Sequence, residues 1–290
     1  MVIDTAHTRS WSYAELRGDG MSRAGIERSL EVGALVRARR DHYVHGSAPE
    51  GITSAVRIGG RLDCVSLMRE LGVFVLSDDR RLHVQIPRAR TMLRSPHSRI
   101  VRLDNAAHGV VPHWREDPAP ADSTIADPLS AVRQAVLCQP VRPAIATIDS
   151  ALHLGIVEER QLGELFARLP RRLRRLRRLV DGRAESGPET LARLLVRVFG
   201  VSVELQVVIA GIGRVDLVVD GWIVIECDSR EFHSGWDEQE RDRARDLKLA
   251  ARGFTTLRPT ANQIFTAPSL LVHAVATLLE RGPSAGVRRI

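Results

Sequence analysis

Lysine is almost absent from this chain. Of the 42 lysines and arginines among its 290 residues, one, Lys248, is a lysine, so a site that relies on a lysine amine elsewhere is excluded. Cysteine is scarce too. Cys64, Cys138 and Cys227 are odd in number and form no C-x-x-C pair, which argues against a disulfide scaffold and a zinc site, and for a reducing compartment. Long hydrophobic runs are missing: the most apolar window, around Leu194 to Gly213, is broken by Arg197 and Glu204, so no membrane span is expected. The opening MVIDTAHTRSWSYAEL has no apolar segment of the kind a secretory signal needs, and the expectation is a cytoplasmic protein.

Arginine, by contrast, is abundant. A formal net charge of +7 and a pI near 10.4 favour a polyanionic partner, because neutralised phosphates release counterions and give sequence-independent affinity. A chain of 290 residues with 44% hydrophobic content is long enough for two domains, each with a core.

The most informative stretch is Gly211 to Lys248. The runs VDLVV and WIVIEC are strand-like, with the turn signal Asp220-Gly221 between them. Side chains alternate across a strand, so loop length decides whether Asp216 and Glu226 share a face. A three-residue loop, Val219-Asp220-Gly221, pairs Asp216 with Val224, leaves Glu226 as its diagonal neighbour and adds Asp228 to the same side. It also collects Val215, Leu217, Ile223, Ile225 and Cys227 into one apolar face. Three carboxylates so placed repel one another, and a hard divalent ion, Mg²⁺ or alternatively Mn²⁺, would offset their charge. Pairing with arginines is the structural alternative.

The acid on one strand, E-x-D closing the next, a histidine five residues on and a D-x-x-R-D helix together resemble the nuclease domain related to very-short-patch-repair endonucleases, in the PD-(D/E)XK superfamily. The family positions fall on Asp216, Glu226, Asp228, His233, Asp242, Arg245 and Asp246, and S-x-x-E at Ser186 to Glu189 matches the helix glutamate. The likeness covers about Leu179 to Glu280. The chain departs from the family at Ser229, where a glycine is usual, and at Asp228, which stands where the superfamily has lysine.

Toward the N-terminus, Ser12 and Ser22 are placed to cap two short helices, and Gly33 to Val44 reads as two strands with a basic tip. This is the outline of a winged helix-turn-helix, with Met21 to Leu30 as recognition helix. Arg23 and Arg28 would face the groove, and Arg37, Arg39 and Arg40 would contact phosphates from the wing. The region to about Arg90 resembles the N-terminal domain of abortive-infection type antitoxins, which implies a transcriptional regulator. Thr91 to Thr124 reads as short strands; His108 and His113 lack a third ligand nearby, so a metal there is not favoured. Three helices follow over Asp127 to Leu169 and suggest no chemistry.

In PRRLRRLRRLV, leucine recurs every third residue, at 173, 176 and 179. Read as a helix, it has one narrow apolar stripe and basic flanks, with Arg171, Arg172, Arg174 and Arg175 set for phosphate contact. Arg245 and Lys248 on the later charged helix are further candidates to orient a scissile phosphate.

The expectation is therefore an α/β protein: a winged helix-turn-helix region over 1–90, a linker and helical connector over 91–178, and a PD-(D/E)XK-type, restriction-endonuclease-like core over 179–290. Its function would be metal-dependent DNA endonuclease activity, nicking or cutting as a homodimer, in repair or defence. Asp216, Glu226 and Asp228 would bind the ion, Glu189 would complete the set and His233 would accept a proton from the attacking water. No membrane and no small-molecule cofactor is expected. The alternative is a DNA-binding regulator or antitoxin-like protein without catalysis, and composition does not separate DNA from RNA.

Overall fold

The computed structural model describes residues 7–77, 79–227 and 236–283; side chains at 236–239 and 242 are outside that description. It is a mixed α/β protein whose contacts divide it into two units. The first runs to Thr147 and adds Leu154–Arg177; the second comprises Ile148–His153 and the residues from Arg178 on. Among the described residues, no helix is long and apolar enough to cross a membrane.

In the first unit, α1 (Tyr13–Gly18) and α2 (Arg23–Glu31) begin where the serines predict. Ser12 forms a reciprocal capping box with Glu15, and the Ser22 hydroxyl accepts from the Gly25 N–H, so each satisfies helix-end donors that water would otherwise hold. A hairpin of β1 (Leu35–Arg39) and β2 (His42–His45) follows. Leu16, Ile26, Leu35 and Tyr43 form one buried cluster under Trp11, Met21 and Leu30, tying both helices to the hairpin.

Next come α3 (Glu50–Ile58), β3 (Arg61–Leu62), α4 (Cys64–Glu70), β4 (Leu82–Ile86), β5 (Arg94–Ser95), β6 (Ser98–Arg102) and β7 (Val110–Trp114). The expected linker is not a separate segment. β7 pairs in parallel with β4 from Leu82↔Val110 to Ile86↔Trp114, in a sheet of order β3-β4-β7, so its backbone hydrogen bonds are met inside the first unit. The helices α5 (Pro128–Cys138), α6 (Val141–His153) and α7 (Leu162–Ala167) follow, with only the end of α6 grouped with the second unit.

The basic stretch departs from one continuous α-helix. It is a single α-turn, α8 (Arg171–Arg174), continued as a 3₁₀ segment over Arg175–Leu179. A 3₁₀ helix turns every three residues, so it aligns the three-residue leucine repeat that an α-helix would spread around its surface. Leu176 is buried, while Arg171, Arg172, Arg174 and Arg175 are exposed.

The second unit contains α9 (Gly187–Val196), β8 (Val203–Ile209), β9 (Gly213–Val219), β10 (Ile223–Ile225), α10 (Trp236–Ala251), β11 (Thr255–Leu257), α11 (Ala261–Thr266) and α12 (Pro268–Arg281). Its sheet has the order β11-β10-β9-β8, with β10 parallel to β11 and the other pairs antiparallel. Parallel neighbours need a crossover, which α10 supplies.

Two expectations for the hairpin are corrected. Its loop does hold three residues, but these are Asp220-Gly221-Trp222, because Val219 pairs with Ile223 and Leu217 with Ile225. Asp220 and Gly221 both take positive φ (51° and 74°), so the turn begins one residue later than the strand pattern suggests. Nor is one face alone apolar. Val218 and Val224, on the side of the acids, are buried with Leu249 of α10 and Phe254, while Leu217, Ile223 and Ile225 fill the other face. Burial on both faces explains the near-continuous Val/Ile runs.

Candidate functional site

The observed register, carried one residue beyond Leu217↔Ile225, sets Asp216 directly opposite Glu226 rather than diagonal to it. On the other side, Leu205 pairs with Leu217 and Val207 with Val215, so Gln206 falls level with Asp216. Past Ile225↔Leu257, Arg258 falls level with Glu226. One transverse row of four polar residues thus crosses a sheet whose central strands are largely Val, Ile and Leu.

Each member is held by specific partners. The Cys227 N–H donates to Asp216 Oδ2 at 2.9 Å. Gln206 has left-handed backbone (φ 54°), an unusual conformation for a residue with a side chain, and its amide nitrogen donates to Glu189 Oε2 at 2.8 Å. Glu189 sits in the first turn of α9, which Ser186 caps by accepting from the Glu189 N–H. The same Oε2 accepts the Glu185 N–H at 2.9 Å. The S-x-x-E spacing therefore delivers a buried carboxylate, 5% exposed, to the edge of the row.

Glu226, 6% exposed, lies 2.7 Å from the Arg245 guanidinium. That contact is close but not aligned, so Oε1 accepts no hydrogen bond. Arg245 also donates to the Arg214 carbonyl, and Arg214 pairs with Glu185 at 2.7 Å. Asp246 does not enter the cluster through Arg245; it takes a two-pronged grip from Arg258 at 2.8 and 3.1 Å.

The electrostatics follow from burial of like charges. Burial raises Glu189, Asp216 and Glu226 above their ordinary carboxyl range. The Asp216 charge raises both glutamates further, while Arg245 pulls Asp216 and Glu226 down; for Glu226 the balance lies at about 7. A folded-state value above the unfolded one means that the native protein holds a proton which the unfolded chain releases between about pH 4.5 and 7. The metal-free protein should therefore lose stability as pH rises through that window, with no further loss from this group above it. Melting curves from pH 4.5 to 8 check this; a rise toward pH 7 that carboxyl→amide change at Glu226 leaves unaltered would contradict it.

Of the other expected site residues, Asp228 and His233 lie outside the described residues, as does the Asp242 side chain. Lys248 is exposed on α10. Arg245 lies against the carboxylates, so its first role is charge balance rather than an open phosphate contact. In the first unit Arg23, Arg28, Arg37 and Arg40 are exposed, with Arg23 paired to Glu27 at 3.0 Å. Arg39, of the expected wing set, is half-buried. Its guanidinium donates to the Ile58 and Met92 carbonyls at 2.9 and 3.1 Å, which fixes the end of α3.

Sequence reasoning missed three features. Gln206 and Arg258 enter the polar row only through strand register. Asp149 of α6 is wholly buried, and its carboxylate accepts from Arg193, Thr190 and the Asp181 N–H at 2.8, 2.9 and 2.8 Å. Burial pushes it up to about 6 despite Arg193. Finally, His113 does not meet His108, whose Nδ1 lies 2.8 Å from the Asp104 carbonyl. It gathers instead with His83 and with Cys64 and Cys138, two cysteines that no spacing rule connects.

No family model matches the chain. It is 33% identical over 159 residues to Uncharacterized protein MT2308 of Mycobacterium tuberculosis strain CDC 1551 and, to the same extent, to Uncharacterized protein Rv2248 of strain ATCC 25618. The match takes in 49% of this chain and 57% of each relative, so the chain spans little more than half the length of the curated proteins it resembles.

Proposed function

We propose that the second unit is the catalytic core of a metal-dependent DNA endonuclease of the PD-(D/E)XK type, and that α1, α2 and the β1–β2 hairpin form a winged helix-turn-helix that docks the substrate. The observation that carries this reading is the placement of half-buried Asp216 directly opposite buried Glu226, with Glu189, from the first turn of a capped helix, close enough to feel the Asp216 charge. Withdrawing two facing carboxylates from water costs several kcal/mol unless cations offset their charge; Arg245 and Arg258 both attract Glu226, yet its Oε1 accepts no hydrogen bond.

The chemistry of the donors, rather than a converged trio of ligand atoms, suits a hard divalent ion. Asp216, Glu226 and Glu189 offer oxygen only, as Mg²⁺ and Mn²⁺ prefer. Asp216 and Glu226 would hold the ion, with Asp228 or Glu189 completing the set. Bound there, it would supply Lewis-acid stabilisation of a phosphoryl oxygen and a water of lowered pKa.

The chain's own groups do the positioning. Gln206 and the Glu185 N–H fix Glu189, the Cys227 N–H fixes Asp216, and Arg245 limits the repulsion between Asp216 and Glu226. His233 keeps its sequence-based role as proton acceptor for the attacking water. The exposed Arg171, Arg172, Arg174 and Arg175, with Arg23, Arg28, Arg37 and Arg40, supply cations for the phosphate backbone.

A second reading, a DNA-binding regulator that does not cut, draws support from Arg245, which already answers part of the Glu226 charge. Supercoiled plasmid incubated with the full chain in Mg²⁺, Mn²⁺ or EDTA separates the two. Metal-dependent nicking is the expected result; salt-sensitive binding without cutting of plasmid, mismatched duplex or single strands would favour the regulator.

A further inference from the structure

We propose that Cys64, His83, His113 and Cys138 of the first unit bind a zinc ion in a closed, structural site, separate from the carboxylate row. The four come from four elements: Cys64 begins α4, His83 lies in β4, His113 in β7, and Cys138 ends α5. One ligand atom from each lies within 4.8 Å of the other three.

The distances match the ion. With Zn–N near 2.0–2.1 Å and Zn–S near 2.3 Å, a tetrahedron sets its donors about 3.4 to 3.8 Å apart. Nδ1 of His83 and Nε2 of His113 are 3.1 Å apart, and Cys138 Sγ is 4.0 Å from the same Nε2. Two ring nitrogens that close, both with lone pairs inward, repel unless a proton or a cation lies between them. Sulfur and nitrogen donors in a two-and-two set select zinc over the hard ions that suit Asp216 and Glu226. Two thiolates and two neutral imidazoles also cancel the ion's charge, which allows the buried setting of Cys64, His83 and His113.

The surroundings hold these donors in place. β4 and β7 are parallel, with His83 level with Val111 and His113 level with Gln85, so both rings rise from the same side of the sheet. The His83 N–H donates to Ser66 Oγ at 2.9 Å, and the Asp63 N–H donates to the His83 carbonyl at 3.0 Å. The outer nitrogen of His83 is buried without a hydrogen bond and faces an Asp79 oxygen at 3.6 Å, the side from which a carboxylate commonly orients a metal-bound histidine. The Gln134 amide donates to Cys138 Sγ at 3.4 Å. Cys64 itself has φ 54°, the left-handed region that a residue with a side chain enters only under constraint. Its sulfur lies within 4.8 Å of the ligand atoms of both histidines.

Four protein ligands leave no open position, so the ion would clamp the start of α4, the end of α5 and two strands rather than activate water. The test uses the full chain, purified reduced and without chelator. Elemental analysis should find about one zinc per chain, and exchange with Co²⁺ should give the thiolate-to-cobalt absorption of a tetrahedral site. Cys138→Ser should reduce bound metal to below about a tenth of an equivalent, and a strong chelator should lower the melting temperature of the wild type. Failure of the reduced wild type to take up zinc or Co²⁺ would overturn the assignment, whatever the variants do. So would a Cys64–Cys138 disulfide in the protein as isolated. Because these readouts need neither DNA nor Mg²⁺, they stand or fall independently of nuclease activity.

Discussion

Asp216→Asn should abolish metal-dependent cleavage, by at least about a hundredfold, and at the same time make the metal-free protein more stable. The two effects share one cause. Asp216 raises the Glu226 pKa by its charge, and removing that charge relieves the repulsion between the two facing carboxylates. An asparagine oxygen can still accept the Cys227 N–H that Asp216 Oδ2 accepts now, so the hairpin end keeps its hydrogen bond. Plasmid nicking and a melting curve on one preparation, with DNA affinity as control, give the result. Loss of cleavage together with a lower melting temperature would mean that Asp216 holds the fold rather than the ion. Unchanged cleavage would remove it from the site altogether.

The largest stability effect is expected at Asp149. Asp149→Ala strips a buried carboxylate from Arg193, whose side chain is 4% exposed, and leaves a buried guanidinium without its counter-charge. Breaking such a pair from one side costs about 3–5 kcal/mol. Arg193 keeps the Leu179 carbonyl at 2.7 Å, but Thr190 and the Asp181 N–H lose their acceptor. Melting temperature should fall by roughly 10 °C. The double change Asp149→Leu with Arg193→Met should recover much of the loss, since replacing both partners by apolar groups avoids the stranded charge. A double variant no more stable than Asp149→Ala would show that the hydrogen bonds, not the charge, matter there.

Much of the second unit could be read in advance, and the misses have physical causes. Asp220-Gly221 marked the turn and the Val/Ile runs marked the strands, so the parity that brings Asp216 and Glu226 to one side was legible. The register was two residues out because Trp222 reads as a strand residue by propensity. It is instead the third loop residue, its indole donating to Asp220 Oδ2 at 3.2 Å. Ser186 and Glu189 were legible as a cap and its partner, which is local chemistry. Asp149 was not, because an acid on an apolar helix face looks like an ordinary interruption until Arg193 packs against it. The cysteines and histidines of the first unit are scattered through four elements, so only tertiary structure brings them together. Leucine every third residue suggests an amphipathic α-helix by pattern, whereas its period matches the 3₁₀ segment that forms.

The line of Gln206, Asp216, Glu226 and Arg258 across one sheet also bears on how that sheet assembles. Val and Ile pair with one another almost equally well in neighbouring registers, so strands built from them slide. A slip of one residue anywhere along this line would turn a polar side chain onto the opposite face, into the apolar packing of Leu217, Ile223 and Ile225, and leave it without a partner. The same four residues that gather polar groups at one place thus work as a key that only one alignment of the strands can turn.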